Sequence, residues 1–192
     1  MNLLGRRAGL VLGVAALARP ARAAGPAGGA GGGAGGMERL REVVRPLPEF
    51  SFNTAEGVAQ GMADFRGRPL LINLWATWCP PCVAEMPALD RTAAALAAEG
   101  FAVLPLSSDR GGAAVVQAFY TRTGVAHLPV LLDPRGAAAR AFGARGLPTT
   151  IIVNRAGQEV ARLEGEAVWD SPAMLVTLRR LAGPVPETAT RT

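Results

Sequence analysis

The chain of 192 residues holds two cysteines, separated by two prolines in the run Trp78-Cys79-Pro80-Pro81-Cys82. Such a pair admits three chemistries. A purely structural disulfide here would close a very small loop, and cross-linking stabilises less as the closed loop shortens. A structural zinc site wants four nitrogen or sulfur ligands. Two cysteines and the single histidine, His127, fall short of that set, although two thiolates alone suit Cu(I). The third chemistry is that of a redox-active dithiol, in which one thiolate attacks a disulfide and the second thiol resolves the mixed disulfide. All 20 basic residues are arginine and none is lysine, so a lysine Schiff base and a phosphate-loop lysine are excluded.

A dithiol of this kind must be placed where a thiolate is stabilised, because the thiolate is the nucleophile. The flanking sequence supplies such a place. Leu70 to Trp75 is a nearly continuous apolar run, the pattern of a strand buried on both faces. From Pro81 to Ala98 the chain reads as a helix: Cys82, Met86, Leu89, Ala93 and Leu96 recur at helical spacing and mark a core-facing stripe. Cys79 then falls between the end of a strand and the first turn of a helix. Unpaired N–H groups and the helix dipole favour negative charge there, and Cys82 sits one turn further on. Pro87 removes one hydrogen bond from this helix and is expected to kink it.

The remaining elements alternate. Strands are predicted at Phe50–Phe52, Phe101–Leu106, Pro129–Asp133, Thr149–Val153 and, after a turn at Gly157, Glu159–Leu163. Helices are predicted at Ala113–Arg122 and Ala137–Phe142, with a last one opened by Ser171 as N-cap and Pro172 at its first position. Strands that alternate with helices and end in a hairpin predict an α/β fold, a central mixed β-sheet with helices on both faces.

Charge and composition locate the rest of the chain. The net charge is +5, but Arg6, Arg7, Arg19 and Arg22 stand in the first 23 residues, which contain no acid, and setting them aside leaves 16 basic against 15 acidic residues. The basic character belongs to the leader, which removes the main support for nucleic-acid binding. Met1–Arg7 is a short basic region, Ala8–Ala18 an uncharged run of 11 residues, and Ala21-Arg22-Ala23 a small-x-small cleavage pattern. This is the three-part design of a secretory signal peptide over residues 1–23, with an uncleaved anchor as the alternative. The apolar run falls short of the roughly 20 residues that span a bilayer. Arg6-Arg7 raises twin-arginine export, although Ala8 and Gly9 follow it rather than bulky apolar residues. Residues 25–36 hold eight glycines, three alanines and one proline, a flexible linker. A short surface helix is expected over residues 37–46, the folded domain from Leu47 to Gly183, and a disordered tail over 184–192.

The run Leu70-Leu-Ile-Asn-Leu-Trp-Ala-Thr-Trp-Cys-Pro-Pro-Cys-Val-Ala-Glu-Met-Pro resembles the thioredoxin superfamily, and within it the TlpA/ResA/DsbE-like extracytoplasmic thiol:disulfide oxidoreductases. The resemblance continues through Gly146-Leu147-Pro148-Thr149-Thr150 and Asp170-Ser171-Pro172, and covers residues 47–182. It implies a thioredoxin fold with an N-terminal extension and a helix–strand insertion between Phe101 and Pro148. It implies Cys79 as the attacking thiol and Cys82 as the resolving thiol, with the pair itself as redox centre and no organic cofactor or metal. Pro148 is expected cis and against the disulfide, with the Leu147 backbone pairing to substrate like an added strand. Trp78, Pro80 and Pro81 are expected on the substrate-facing surface, whereas Trp75 reads as core packing. Glu85, three residues after Cys82, is either an acid that tunes the thiol pKa values or moves the Cys82 proton during resolution, or a solvated helix acid. Asn73 stands where thioredoxins carry a buried aspartate and cannot act as a base, which places more weight on Glu85. His127 and Trp169 read as a loop residue and a packing residue. The implied activity is reduction of protein disulfides by a periplasmic or extracytoplasmic monomer, regenerated by a membrane thiol-reductase relay. The implied substrates are apocytochrome c or copper-site cysteines. A Cu(I) chaperone and a protein-thiol oxidase are the alternatives.

Overall fold

Six consecutive buried residues, Leu70–Trp75, form the strand (β4) around which the sheet is built. The structure, a computed structural model, describes residues 34–184. The leader over 1–23, the first part of the glycine-rich linker and the tail beyond Pro184 lie outside the described residues. The strands are β1 (Arg41–Pro46), β2 (Ser51–Thr54), β3 (Ala59–Gly61), β4, β5 (Ala102–Ser107), β6 (Leu131–Leu132), β7 (Thr149–Val153) and β8 (Gln158–Glu164). The helices are α1 (Pro80–Leu96), α2 (Gly112–Thr123), α3 (Ala137–Ala141) and α4 (Pro172–Ala182). One eight-stranded mixed sheet runs β1-β8-β7-β4-β5-β6-β2-β3. In it β4 is parallel to β5 and antiparallel to β7.

Because side chains alternate along a strand, β4 serves two cores. Leu71 and Trp75 face Cys82, Met86, Leu89 and Leu96 of α1, Val116 and Phe119 of α2, and Met174 and Leu178 of α4. Leu70, Ile72 and Leu74 face the other way, onto Phe52, Met62, Ala138 and Phe142. Trp75 stacks on Tyr120, 6.0 Å between ring centroids and 8° from parallel, which is the core role expected for it. Asn73 shares the face of Leu71 and Trp75 and so points its amide beneath α1. The predicted helices and buried strands are present, and α1 runs on through Pro87. Ser171 caps α4 as anticipated, its hydroxyl accepting from the Met174 amide at 3.3 Å.

Three local expectations are corrected. Residues 37–46 do not form one surface helix: a 3-10 turn ends at Arg39, and Arg41–Pro46 is a strand paired antiparallel to β8, from Arg41 opposite Arg162 to Pro46 opposite Gln158. The hairpin partner β8 exposes a row of unpaired backbone groups, and covering that edge outweighs a weak local helix preference in a segment centred on Val43-Val44. Pro46 is tolerated because it ends an edge strand. The folded unit therefore begins before Leu47, and Gly35 and Gly36, read as part of a flexible linker, are packed onto it because the Gly35 carbonyl is bonded to the Val168 amide. The strand predicted over Pro129–Asp133 shrinks to Leu131–Leu132, and β3 was not anticipated.

Candidate active site at the start of helix α1

Cys79 is the N-cap of α1, in extended backbone (φ −100°, ψ 103°), and is joined to Cys82 in a disulfide with the Cα atoms 5.3 Å apart. The helix starts here because Pro80 and Pro81 fit its first two positions, where an N–H would be unpaired anyway. They also remove two of the donors a helix start normally offers. The amide left to face the sulfur is that of Cys82, which donates to Cys79 Sγ at 3.3 Å, while Val83 N–H closes on the Cys79 carbonyl at 3.0 Å. Cys79 is 6 % exposed and Cys82 is fully buried. Of the two, only Cys79 keeps any exposure, and Cys82 lies wholly behind it. Trp78, 67 % exposed, stands beside them with exposed Pro80 and Pro81.

A buried carboxylate fixes the approach to Cys79. Asp109, at the end of β5, accepts from Thr77 N–H (2.9 Å), the Thr77 hydroxyl (2.7 Å) and the Ser107 hydroxyl (2.8 Å). Thr77 is thereby pinned where the chain leaves β4, two residues before the thiol. Neither Asp109 nor Thr77 carries a sequence signal that points to this pairing.

The Leu147–Pro148 peptide is cis. β7 pairs Thr149 with Leu74, so Pro148 falls opposite Trp75, at the end of the sheet from which the Cys79 loop departs. Pro148 is buried and Leu147 half-buried. The Pro148 carbonyl accepts from Gly165 N–H at 2.9 Å, and the Thr149 hydroxyl donates to the Gly146 carbonyl at 2.7 Å.

Glu85 is not a solvated acid. It is 2 % exposed and accepts three hydrogen bonds: Oε1 from Asn73 Nδ2 (2.8 Å), and Oε2 from Trp169 Nε1 (2.8 Å) and Ala167 N–H (3.1 Å). Asn73 Nδ2 also donates to Thr150 Oγ1 at 2.9 Å. Burial pushes the Glu85 carboxyl up to about 7; the bonds from Trp169, Asn73 and Ala167 pull it down, and the like charge of Glu166 adds to the rise. Desolvation disfavours the charged form and hydrogen bonds to it favour it; here the former prevails. Glu85 lies one helical turn after Cys82, where Cβ atoms of neighbours are about 5–6 Å apart. Trp169 is therefore more than packing. A buried indole N–H generally finds an acceptor, and that rule was the signal that could have paired it with an acid. His127 is exposed and shares no bond with this network; its ring bonds Asp90 Oδ2 at 2.9 Å. Burial opposes ionisation of Asp90, yet the His127 ring and the backbone amides of Ala126, His127 and Leu128 hold it below the ordinary carboxylate range.

Residues 42–174 match the Redoxin family. Thiol-disulfide oxidoreductase ResA of Bacillus thuringiensis subsp. konkukian is 27 % identical over 129 residues, 67 % of this chain and 73 % of that protein. Thioredoxin-like protein YneN of Bacillus subtilis is 33 % identical over 112 residues, 57 % of this chain and 64 % of that one. Among solved structures, a thiol:disulfide interchange protein DsbE from Chlorobium tepidum superposes with a TM-score of 0.63 at 25 % identity, covering 75 % of this chain and 99 % of that one. The exposed lipoprotein thioredoxin of Streptococcus pneumoniae gives 0.58 at 27 % identity, covering 69 % and 98 %. With a dithiol at the sheet-to-helix turn, a cis-proline at the same sheet end and this match across more than half its length, the chain belongs to the Redoxin family, as a thioredoxin-superfamily enzyme of thiol–disulfide exchange of the TlpA/ResA/DsbE-like kind.

Proposed function

We propose that the protein reduces disulfides in other proteins outside the cytoplasm. The observation that carries this reading is a cysteine pair of which only Cys79 keeps any exposure, with the buried, hydrogen-bonded Glu85 carboxyl one helical turn after Cys82. The Cys79 thiolate attacks one sulfur of a substrate disulfide. The substrate S–S bond breaks, a Cys79–substrate S–S bond forms, and the released sulfur takes a proton from solvent. Cys82 then gives its thiol proton to the Glu85 carboxylate and attacks Cys79 Sγ as a thiolate. The mixed disulfide breaks, and the second substrate sulfur leaves and is protonated by Glu85. Two electrons have passed to the substrate, and the Cys79–Cys82 disulfide is left. An acid whose pKa lies near the working pH is suited to move a proton in both directions.

Trp78, Pro80 and Pro81 provide an apolar rim for the substrate chain, and the Leu147 backbone ahead of Pro148 provides an edge for an extended segment. The exchange needs no organic cofactor and no metal beyond the cysteine pair. A membrane thiol-reductase relay returns the electrons, since an oxidising compartment would otherwise hold the pair oxidised. The leader pattern over residues 1–23 supports export, and apocytochrome c or copper-site cysteines are the proposed substrates of a protein acting as a monomer.

Insulin reduction and covalent trapping test this reading. Cys79→Ser abolishes exchange, and Cys82→Ser accumulates mixed disulfides with substrate proteins in cells; recovering none refutes the mechanism. A redox titration decides direction: a potential well below about −200 mV supports a reductase, and one near about −120 mV makes the protein an oxidant.

A further inference from the structure

The loop that donates to Glu85 is itself held from outside. Residues 34–39 form a 3-10 turn broken by two glycines in left-handed backbone, Gly35 (φ 58°) and Gly36 (φ 93°). This turn lies directly on Glu166–Val168. The Gly35 carbonyl accepts from Val168 N–H at 2.8 Å, and the Arg39 guanidinium donates to the Glu166 carbonyl. Gly36 is buried, and a Cβ there would stand 2.9 Å from both Ala167 Cβ and the Glu166 carbonyl oxygen. A Cβ at Gly35 would meet Val168 Cβ at 3.0 Å. Backbone meets backbone with no room for a side chain, and both glycines also adopt a conformation that costs other residues energy. Met37 and Leu40 anchor the segment on the core that contains α1.

We propose that Gly35–Arg39 is a clasp that positions the Glu166–Trp169 loop over Glu85 and keeps water from the carboxyl that takes the Cys82 proton. The inference rests on the role given to Glu85 above and extends it to a positioning segment. On its far side Ala167 carries the clasp; on its near side its N–H reaches Glu85 Oε2, with the Trp169 indole two residues later. The charge that acts on the carboxyl is that of Glu166, and the loop carrying it is flanked by Arg39 over Gly165 and by the Arg91–Asp170 pair. Desolvation is the largest influence on Glu85. Loosening the clasp admits water, so the carboxyl falls toward its ordinary range even though hydrogen bonds are lost with it.

The test uses the full-length oxidised protein and carboxyl-carbon NMR, with the Glu85 resonance assigned by its absence in Glu85→Gln. Gly36→Val and Arg39→Ala each lower the Glu85 midpoint by about one unit or more and speed hydrogen exchange at the Val168 amide about tenfold or more. Arg39→Ala leaves the glycines intact and serves where Gly36→Val does not fold. Faster exchange at Val168 with an unmoved midpoint overturns the clasp, and so does unaccelerated exchange in both variants. A Glu85→Gln protein that keeps the parental rate of insulin reduction overturns the role of Glu85 instead, a result distinct from either.

Discussion

Replacing Glu85 by glutamine has a consequence for stability that can be worked from its surroundings. Burial raises its carboxyl from 4.5 to about 7, so between those values the folded protein holds a proton that the unfolded chain has released. The stability tied to that proton is fully present below the unfolded value and is lost as pH rises through the folded one. At about 1.4 kcal/mol per pKa unit, the shift amounts to about 3 kcal/mol. Denaturant unfolding of the oxidised protein and of oxidised Glu85→Gln, over roughly pH 4.5 to 8, isolates it, because glutamine does not titrate and every other group cancels in the difference. Keeping both proteins oxidised removes the cysteine thiols from the titration. Glutamine turns an amide toward the Asn73, Ala167 and Trp169 donors, which displaces the variant's whole curve without changing its slope. The expected result is that the parent loses about 3 kcal/mol more than the variant across this range. Parallel curves would refute the picture of a buried, proton-holding acid.

Three further outcomes follow from the same contacts. Trp169→Phe removes one donor from the ionised carboxyl; a charge-assisted bond of about 1.5–3 kcal/mol translates to a further rise of about one to two units, read by carboxyl titration, and a fall would contradict it. Asp109→Ala strands the Thr77 amide and two hydroxyls, lowering stability by about 2–4 kcal/mol in denaturant unfolding and slowing exchange; Asp109→Asn restores part of both, and an undisturbed Asp109→Ala protein would show that the clamp on Thr77 is dispensable. Trp78→Ala, at an exposed site, changes stability by less than about 0.5 kcal/mol but raises KM for a protein substrate several-fold, and an unchanged KM would remove Trp78 from the docking surface.

What could be read along the chain was local and periodic. The apolar run Leu70–Trp75, the helical stripe from Cys82 to Leu96 and the Ser171-Pro172 cap report the conformation of their own residues, because burial imposes a period of two or 3.6 on nearby positions. They are enough to place the dithiol at a sheet-to-helix turn, and the Leu147-Pro148-Thr149 motif carries the resemblance that implies a cis-proline. The environment of Glu85 was not local. Its donors come from positions 12, 82 and 84 residues away, and its proton affinity depends on how completely those elements exclude water. The same holds for Asp109 on Thr77, 32 residues apart, and for Arg41–Pro46, whose strand conformation was decided by the open edge of β8. Sequence periodicity reports which face of an element is buried; which partner meets that face, and how dry the contact is, arises only when distant segments pack together.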